Sequence, residues 1–281
     1  MPANPRHLIL NLLLGSDSQA LTAREAVAAC ALFGVRENGT RVALARLAVA
    51  GLVETAGRGA YRLGPNAQEL AAYVANWREV EHRLCEWTGG WIAVHVGPLG
   101  RRDRAALRAR ERALHLLGLA EFERGLHLRP DNLVGGVAGV RARLHSLGLE
   151  AEAAVFLAQG FDPAREQRAR ALWDGRELTR GYRETRRRLD HWLAHAETLS
   201  PEVAAHEAYV LGNDAIRELV FDPLLPAPLV DTAARGAFVD AVVRFDAAGH
   251  AVWQRFLATR RSESPSTRER PALRITQEAT P

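Results

Sequence analysis

Arg41, Val42, Ala45 and Arg46 fall at spacings that gather on one side of an α-helix, and the chemistry such a face suits is recognition of DNA. An arginine fork bonds guanine O6 and N7 together, and small apolar side chains touch thymine methyls. Thr40, Ala43, Leu44 and Leu47 follow the i, i+3, i+4, i+7 pattern of a buried stripe on the other side. Asn38 reads as the N-cap of this helix, which is predicted over about Gly39–Ala50 with Gly51 as its stop. Arg41 sits in the first turn, where recognition helices meet base edges. Arg46, one turn deeper, points at phosphate or pairs with Glu37 or Glu54. Arg58 lies at the tip of the turn Gly57-Arg58-Gly59, placed for phosphate or the minor groove. The DNA-facing set is Asn38, Thr40, Arg41, Val42, Ala45, Arg46 and Arg58, with Thr40 counted both here and in the buried stripe.

The elements that must hold this face are legible around it. Leu8, Leu12 and Leu13 mark a first helix over residues 5–14. Thr22-Ala23-Arg24-Glu25 is a capping box that opens a second helix, which runs through Ala26, Ala29, Cys30 and Phe33 to Gly34. After the third helix, Leu52-Val53 starts a strand and Ala60-Tyr61-Arg62-Leu63 returns. The whole predicts a winged helix-turn-helix over residues 1–65. Charge agrees: residues 1–65 carry seven arginines against four carboxylates, a net of +3, out of a net charge of +4 for the 281 residues. Residues 161–281 balance eighteen against eighteen. A local positive field favours phosphate through counterion release. All 37 basic residues are arginine, so their number alone carries little.

Other chemistry is sparse. No Walker loop, dinucleotide glycine fingerprint, nucleophile elbow or Cys/His metal cluster occurs, so no catalytic residue, metal or cofactor is expected. His191 and His195 have metal-compatible spacing, without a supporting acidic motif. Cys30 and Cys85, both in helical patterns, read as buried thiols. Arg186-Arg187-Arg188 leaves three readings open: a second DNA contact, a solvated face paired to Glu184 and Asp190, or a site for ligand phosphates. No run of 18 apolar residues exists, and Leu8–Leu14 carries Asn11 with no cleavage site after it. A cytoplasmic protein without membrane contact is the expectation.

Further along, residues 66–86 read as a linker helix. Over 87–162 the pattern is a strand at Trp91–Val96, a helix at Asp103–Leu117, two short strands around Gly125, a helix at Leu133–Leu147 and a strand at Glu152–Ala158. That β-α-β-β-α-β order predicts a ferredoxin-like domain. Residues 163–260 are predicted mostly helical, with Asp222-Pro223-Leu224-Leu225-Pro226 as a stiff connection, and 261–281 as a disordered tail. The fold class is therefore α+β and multidomain.

Several stretches resemble the PaaX family, repressors of aromatic-acid catabolism. They are Gly39-Thr40-Arg41-Val42-Ala43-Leu44-Ala45-Arg46-Leu47, the tryptophans in Trp87-Thr88-Gly89-Gly90-Trp91, the run from Arg101 to Arg108 with Gly125-Leu126-His127-Leu128-Arg129-Pro130, and Arg217 with Asp222-Pro223-Leu224-Leu225-Pro226. The likeness covers about residues 6–260. It departs after Leu229, where Asp231-Thr232-Ala233-Ala234-Arg235-Gly236 replaces the usual Trp-Pro-Gly step, and at the short wing with Ala60. One reading head per chain predicts a homodimer on a palindromic site in double-stranded DNA. The resemblance implies a repressor of an operon, released by an acyl-CoA effector, and Arg186 and Arg217 are the candidate ligand contacts. It also likens the central domain to small CRISPR-associated nucleases. The alternative function is therefore a metal-dependent nuclease targeted by the winged helix. Against it, the first strand ends His95-Val96-Gly97-Pro98 with no carboxylate.

Overall fold

A computed structural model describes residues 4–14, 20–57, 59–67, 80–100 and 102–262. Among them are nine α-helices and two antiparallel sheets, an α+β architecture. The expected tail from 263 onward and residues 68–79 of the expected linker helix lie outside the described residues.

The first part is α1 (Pro5–Leu14), β1 (Leu21–Thr22), α2 (Ala23–Ala31), α3 (Glu37–Val49), β2 (Val53–Thr55) and β3 (Ala60–Leu63). The capping box forms: the Glu25 N–H donates to the Thr22 hydroxyl at 3.2 Å, and the Thr22 N–H donates back to the Glu25 carboxylate at 2.7 Å. Leu8, Ile9, Cys30, Leu44 and Leu47 close the core beneath α3. Each leucine so buried contributes about 1.5–3 kcal/mol. The strands pair in the order β1-β3-β2, with Leu21 opposite Tyr61 and Val53 opposite Leu63. Two residues suffice for β1, too few to show alternation in a sequence. The N-cap expectation is corrected: α3 begins at Glu37 behind Arg36, and Asn38 lies inside its first turn.

The second part is β4 (Trp91–His95), α4 (Arg104–Leu116), β5 (Ala120–Glu123), β6 (Leu126–Pro130), α5 (Gly136–Ser146) and β7 (Ala154–Ala158). The order is β5-β6-β4-β7, every neighbouring pair antiparallel. β4 is central and buried on both faces, which explains its unbroken apolar run. Ile92 and Val94 pack under α4 and α5 with Leu114, Val140 and Leu144. Trp91 and Ala93 face the other way, against Phe122, Leu128 and Ala169. Asp103 caps α4 by accepting from Ala105 and Ala106 N–H at 2.8 and 3.2 Å.

The third part is helical: α6 (Pro163–Arg170), α7 (Gly175–His195), α8 (Pro201–Val220) and α9 (Thr232–Ser262). Tyr182, Trp192, Phe238, Phe245 and Phe256 build its core. Asp162, Asp174 and Ser200 cap the first three helices with their side chains. Leu224 and Leu225, in the connection between α8 and α9, are buried.

Approaching the second part, the described end of the expected linker helix is instead a single 3-10 turn, Glu81–Arg83, followed by a bridge from Leu84 to Leu133. Its backbone bonds go sideways: Cys85 N–H donates to Asn132 O, and Val134 N–H to Arg83 O, each at 2.9 Å. Cys85 is consequently exposed, whereas Cys30 is buried as expected.

Candidate functional site

The candidate sites are the outer face of α3 and a cavity between the second and third parts of the chain.

On α3, Asn38, Arg41, Val42, Ala45 and Arg46 are all exposed, and Val42 leaves 43% of its surface to solvent. Thr40 is the exception. It is wholly buried, with its hydroxyl turned toward Cys30, and presents nothing to a partner. The helical period decides this: Thr40 shares its face with Ala43, Leu44 and Leu47. Burial also pushes the Cys30 thiol up. Arg41 is held by Glu37 at 2.7 Å, with 61% and 59% of the two side chains exposed. An exposed i,i+4 pair is worth only about 0–1 kcal/mol, so a nucleic acid can displace it. Arg46 takes neither partner foreseen for it, because Glu37 holds Arg41 and Glu54 holds Arg62 at 2.7 Å. Arg58 lies outside the described residues. The glycines flanking it have φ of 122° and 72°, the left-handed backbone that a tight turn between β2 and β3 requires.

The arginine run on α7 is a paired surface. Arg186 reaches Asp190 at 3.3 Å, Arg187 donates to the Arg183 carbonyl at 3.1 Å, and Arg188 faces Asp214 at 3.9 Å. Glu184 contacts Arg180 instead of the run. Arg217 lies over the Phe221 ring, 6.0 Å from its centroid. Neither Arg186 nor Arg217 lines a described cavity. The His191 and His195 rings lie 4.4 Å apart, and among the described residues no group of three candidate ligands could hold a metal.

The cavity, about 560 Å³, was not foreseen. Its wall joins the ends of α4 and α5 to the end of α8, the Asp222–Leu224 connection and the 3-10 turn at His82 and Arg83. Leu117, Leu133, Val140 and Leu219 supply apolar surface, and Arg83, Arg129, Arg143 and Asp222 supply charge. Arg129 is 1% exposed. It donates to the carbonyls of Pro130 (3.2 Å) and Leu117, and to the Asn132 side-chain oxygen at 3.0 Å. The Asn132 amide in turn donates to Leu224 O at 2.7 Å, tying the second part of the chain to the third. Burial lowers the Arg129 pKa to about 10. Asp222 accepts from Leu224 N–H at 2.6 Å; burial raises its pKa, opposed by the Tyr182 hydroxyl, that N–H and Arg235. Sequence reading met Arg129 and Asp222 only as parts of motifs. No local signal tells a buried arginine from a solvated one.

No curated protein matches the chain. Among solved structures, the uncharacterized protein Rv0674 from Mycobacterium tuberculosis is similar, with a TM-score of 0.58 and 25% identity over 89% of this chain and 99% of that one. Residues 173–255, from the tryptophan before α7 to late α9, match the family model of the PaaX-like protein C-terminal domain. That match shows a PaaX-like C-terminal domain over residues 173–255 of this chain.

Proposed function

We propose that this PaaX-like protein is a DNA-binding transcriptional repressor whose reading head is a winged helix-turn-helix built from α1 to β3. The observation that carries the reading is the outer face of α3, where Arg41, Val42, Ala45 and Arg46 are exposed above a closed core. The β1-β3-β2 sheet beside it supports the wing, and the β5-β6-β4-β7 order supports a ferredoxin-like middle domain. One reading head per chain implies a homodimer on a two-fold symmetric operator. The regulated genes are those of aromatic or other carboxylic-acid catabolism, with an acyl-CoA as the releasing effector in a cytoplasmic setting. Catalysis has no place in this reading: β4 ends at His95 without a strand-end carboxylate.

The test is a footprint on the DNA upstream of the protein's own gene. The expected result is two-fold symmetric protection. Arg41→Ala costs about 1–3 kcal/mol there and relaxes preference at one base position. Arg58→Ala weakens binding to all sequences and flattens its salt dependence. Full protection by both variants overturns the face assignment. Cleavage of labelled DNA or RNA in magnesium or manganese overturns the repressor reading.

A further inference from the structure

Among the described residues, the sheet of the second part has two outer strands, β5 and β7, and they differ in kind. An edge strand presents unpaired N–H and C=O groups, and proteins blunt such edges with charge, bulges or a covering element. β5 carries all three. Glu121 and Glu123 are exposed on it, its register with β6 shifts between them, and Arg168 of α6 donates to Phe122 O at 3.4 Å. β7 has no bulge and no charge of its own. It runs in unbroken register along β4 from Ala154 to Ala158, and residues 153–160 include no charged side chain. Phe156 and Leu157 leave 43% and 45% of their surface to solvent. The backbone groups facing outward follow from the ladder. Asp131 N–H donates to Gly90 O at 2.9 Å and Val96 N–H to Gly125 O at 2.8 Å, so Ile92 and Val94 bond β6. Trp91, Ala93 and His95 then bond Ala158, Phe156 and Ala154, which turns the N–H and C=O of Val155 and Leu157 away from the sheet. Arg141 of α5 donates to the Val155 carbonyl at 2.6 Å, as an outward carbonyl allows, and the second lone pair of that oxygen stays open.

We propose that β7 is the seam of a dimer of this chain, pairing antiparallel with β7 of a second copy about a two-fold axis at Phe156. The strand matches itself in that register, the one that pairs all five of its residues. Val155 stands opposite the second copy's Leu157, and Leu157 opposite its Val155, so both outward-facing residues exchange backbone hydrogen bonds. Phe156 meets its own copy on the axis, where side chains come closest. Ala154 and Ala158 share the face of Phe156 and leave room for the two rings. The two four-stranded sheets become one of eight, whose remaining edges are the guarded β5 strands. Absence of charge from the seam means that no like charges meet across it. This interface deepens the homodimer of the repressor reading, and it rests on that reading only for its consequence on DNA.

Sedimentation equilibrium of the full chain, over about 1–100 μM, tests the seam. A five-residue strand pair is a small interface, so the expected result is a reversible monomer–dimer equilibrium. Phe156→Lys sets like charges face to face on the axis and weakens association at least about tenfold. The side chain is exposed, so an unchanged circular dichroism melt accompanies that loss. Crosslinking reads the register. In a Cys85→Ser background, which removes the exposed thiol, Phe156→Cys brings two sulfurs across the axis, where the Cα atoms lie about 4.5 Å apart. Mild oxidation then yields a disulfide-linked dimer. Gln159→Cys, also exposed, lies about 20 Å from its copy and yields none. A monomer throughout the concentration range overturns the proposal, as does unchanged association in Phe156→Lys. Failure of Phe156→Cys to crosslink, or equal crosslinking at both positions, overturns the register. The two readings fail separately. A dimer that persists in Phe156→Lys sinks this seam and leaves a homodimeric repressor standing, whereas a dimer through β7 that protects no DNA sinks the repressor and leaves the seam.

Discussion

Asp222 shows how a single residue carries the logic of its surroundings. Its carboxyl is buried, and the folded state raises its pKa, chiefly through desolvation. The sign for stability follows from linkage. A raised folded pKa adds stability below the unfolded value, and that contribution is lost as pH rises through the folded value. Asp222→Asn keeps an oxygen for Leu224 N–H and removes the titration. The expected outcome is a flatter dependence of urea-unfolding free energy on pH, from the ordinary carboxylate range toward neutrality, relative to the parent chain. Glu150 has the opposite sign. Its hydrogen bonds to Arg110, at 3.1 Å from Nε and closer from the second nitrogen, lower its pKa, so its contribution is lost as pH falls through that depressed value. Arg110 is 4% exposed and, among the described residues, otherwise donates to Gly100 O, at 2.9 Å. Glu150→Ala strands that charge and should cost about 1–3 kcal/mol in denaturant titrations.

At the scale of elements, the joints matter more than the helices themselves. Gly118 ends the turn after α4 with φ of 66°, and a Cβ there would lie 2.6 Å from Pro223 Cα. Helix, sheet and the α8–α9 connection meet at that point, beside the cavity. Gly118→Ala should therefore cost about 2–3 kcal/mol, through strain and a backbone clash, read as a lower urea midpoint with unchanged slope. The capping box at the start of α2 is a gentler case. Thr22→Ala removes one cap acceptor, an expected loss of about 1 kcal/mol by the same titration. Both the box and the glycine after α2 were legible because capping is local chemistry. The start of α3 was misread at Asn38, since Arg36 enters the helix with no side-chain cap and leaves no signature.

Across the whole molecule, the first part leans on the third. The Phe33 ring, just after α2, stacks on His206 at 4.7 Å and meets Tyr209 edge-on at 5.0 Å. The Asn11 amide donates to the Tyr209 hydroxyl and Asn213 oxygen, each at 3.4 Å. These contacts hold α3 in a set orientation, so releasing the head requires opening them. Phe33→Ala should speed amide hydrogen exchange in α2 and α3 while leaving α9 protected, a change of about 1–2 kcal/mol in local opening. Equal acceleration throughout the chain would show that the three parts unfold together instead.

Periodicity, caps and glycine stops are set by neighbours within a few positions, and for that reason the sequence by itself determined α1 to its ends, the stripe of α3, the strand and helix order of the middle part and the helical C-terminal part. Thr40 belongs with these, since its period already placed it inward. The two-residue strand β1 was beyond reach, because a strand so short exists only through its partner Tyr61 and its neighbour Ala60. The sideways bonding of Val80–Cys85, the burial of Arg129 and the cavity were likewise decided only by the tertiary structure. Each depends on groups distant in the chain: Asn132 on Leu224, Arg235 on Glu81, Gly118 on Pro223. Whether an arginine is a solvated surface charge, as Arg187 is, or a buried one, as Arg129 is, depends on what packs over it, and no spacing within a helix or strand records that.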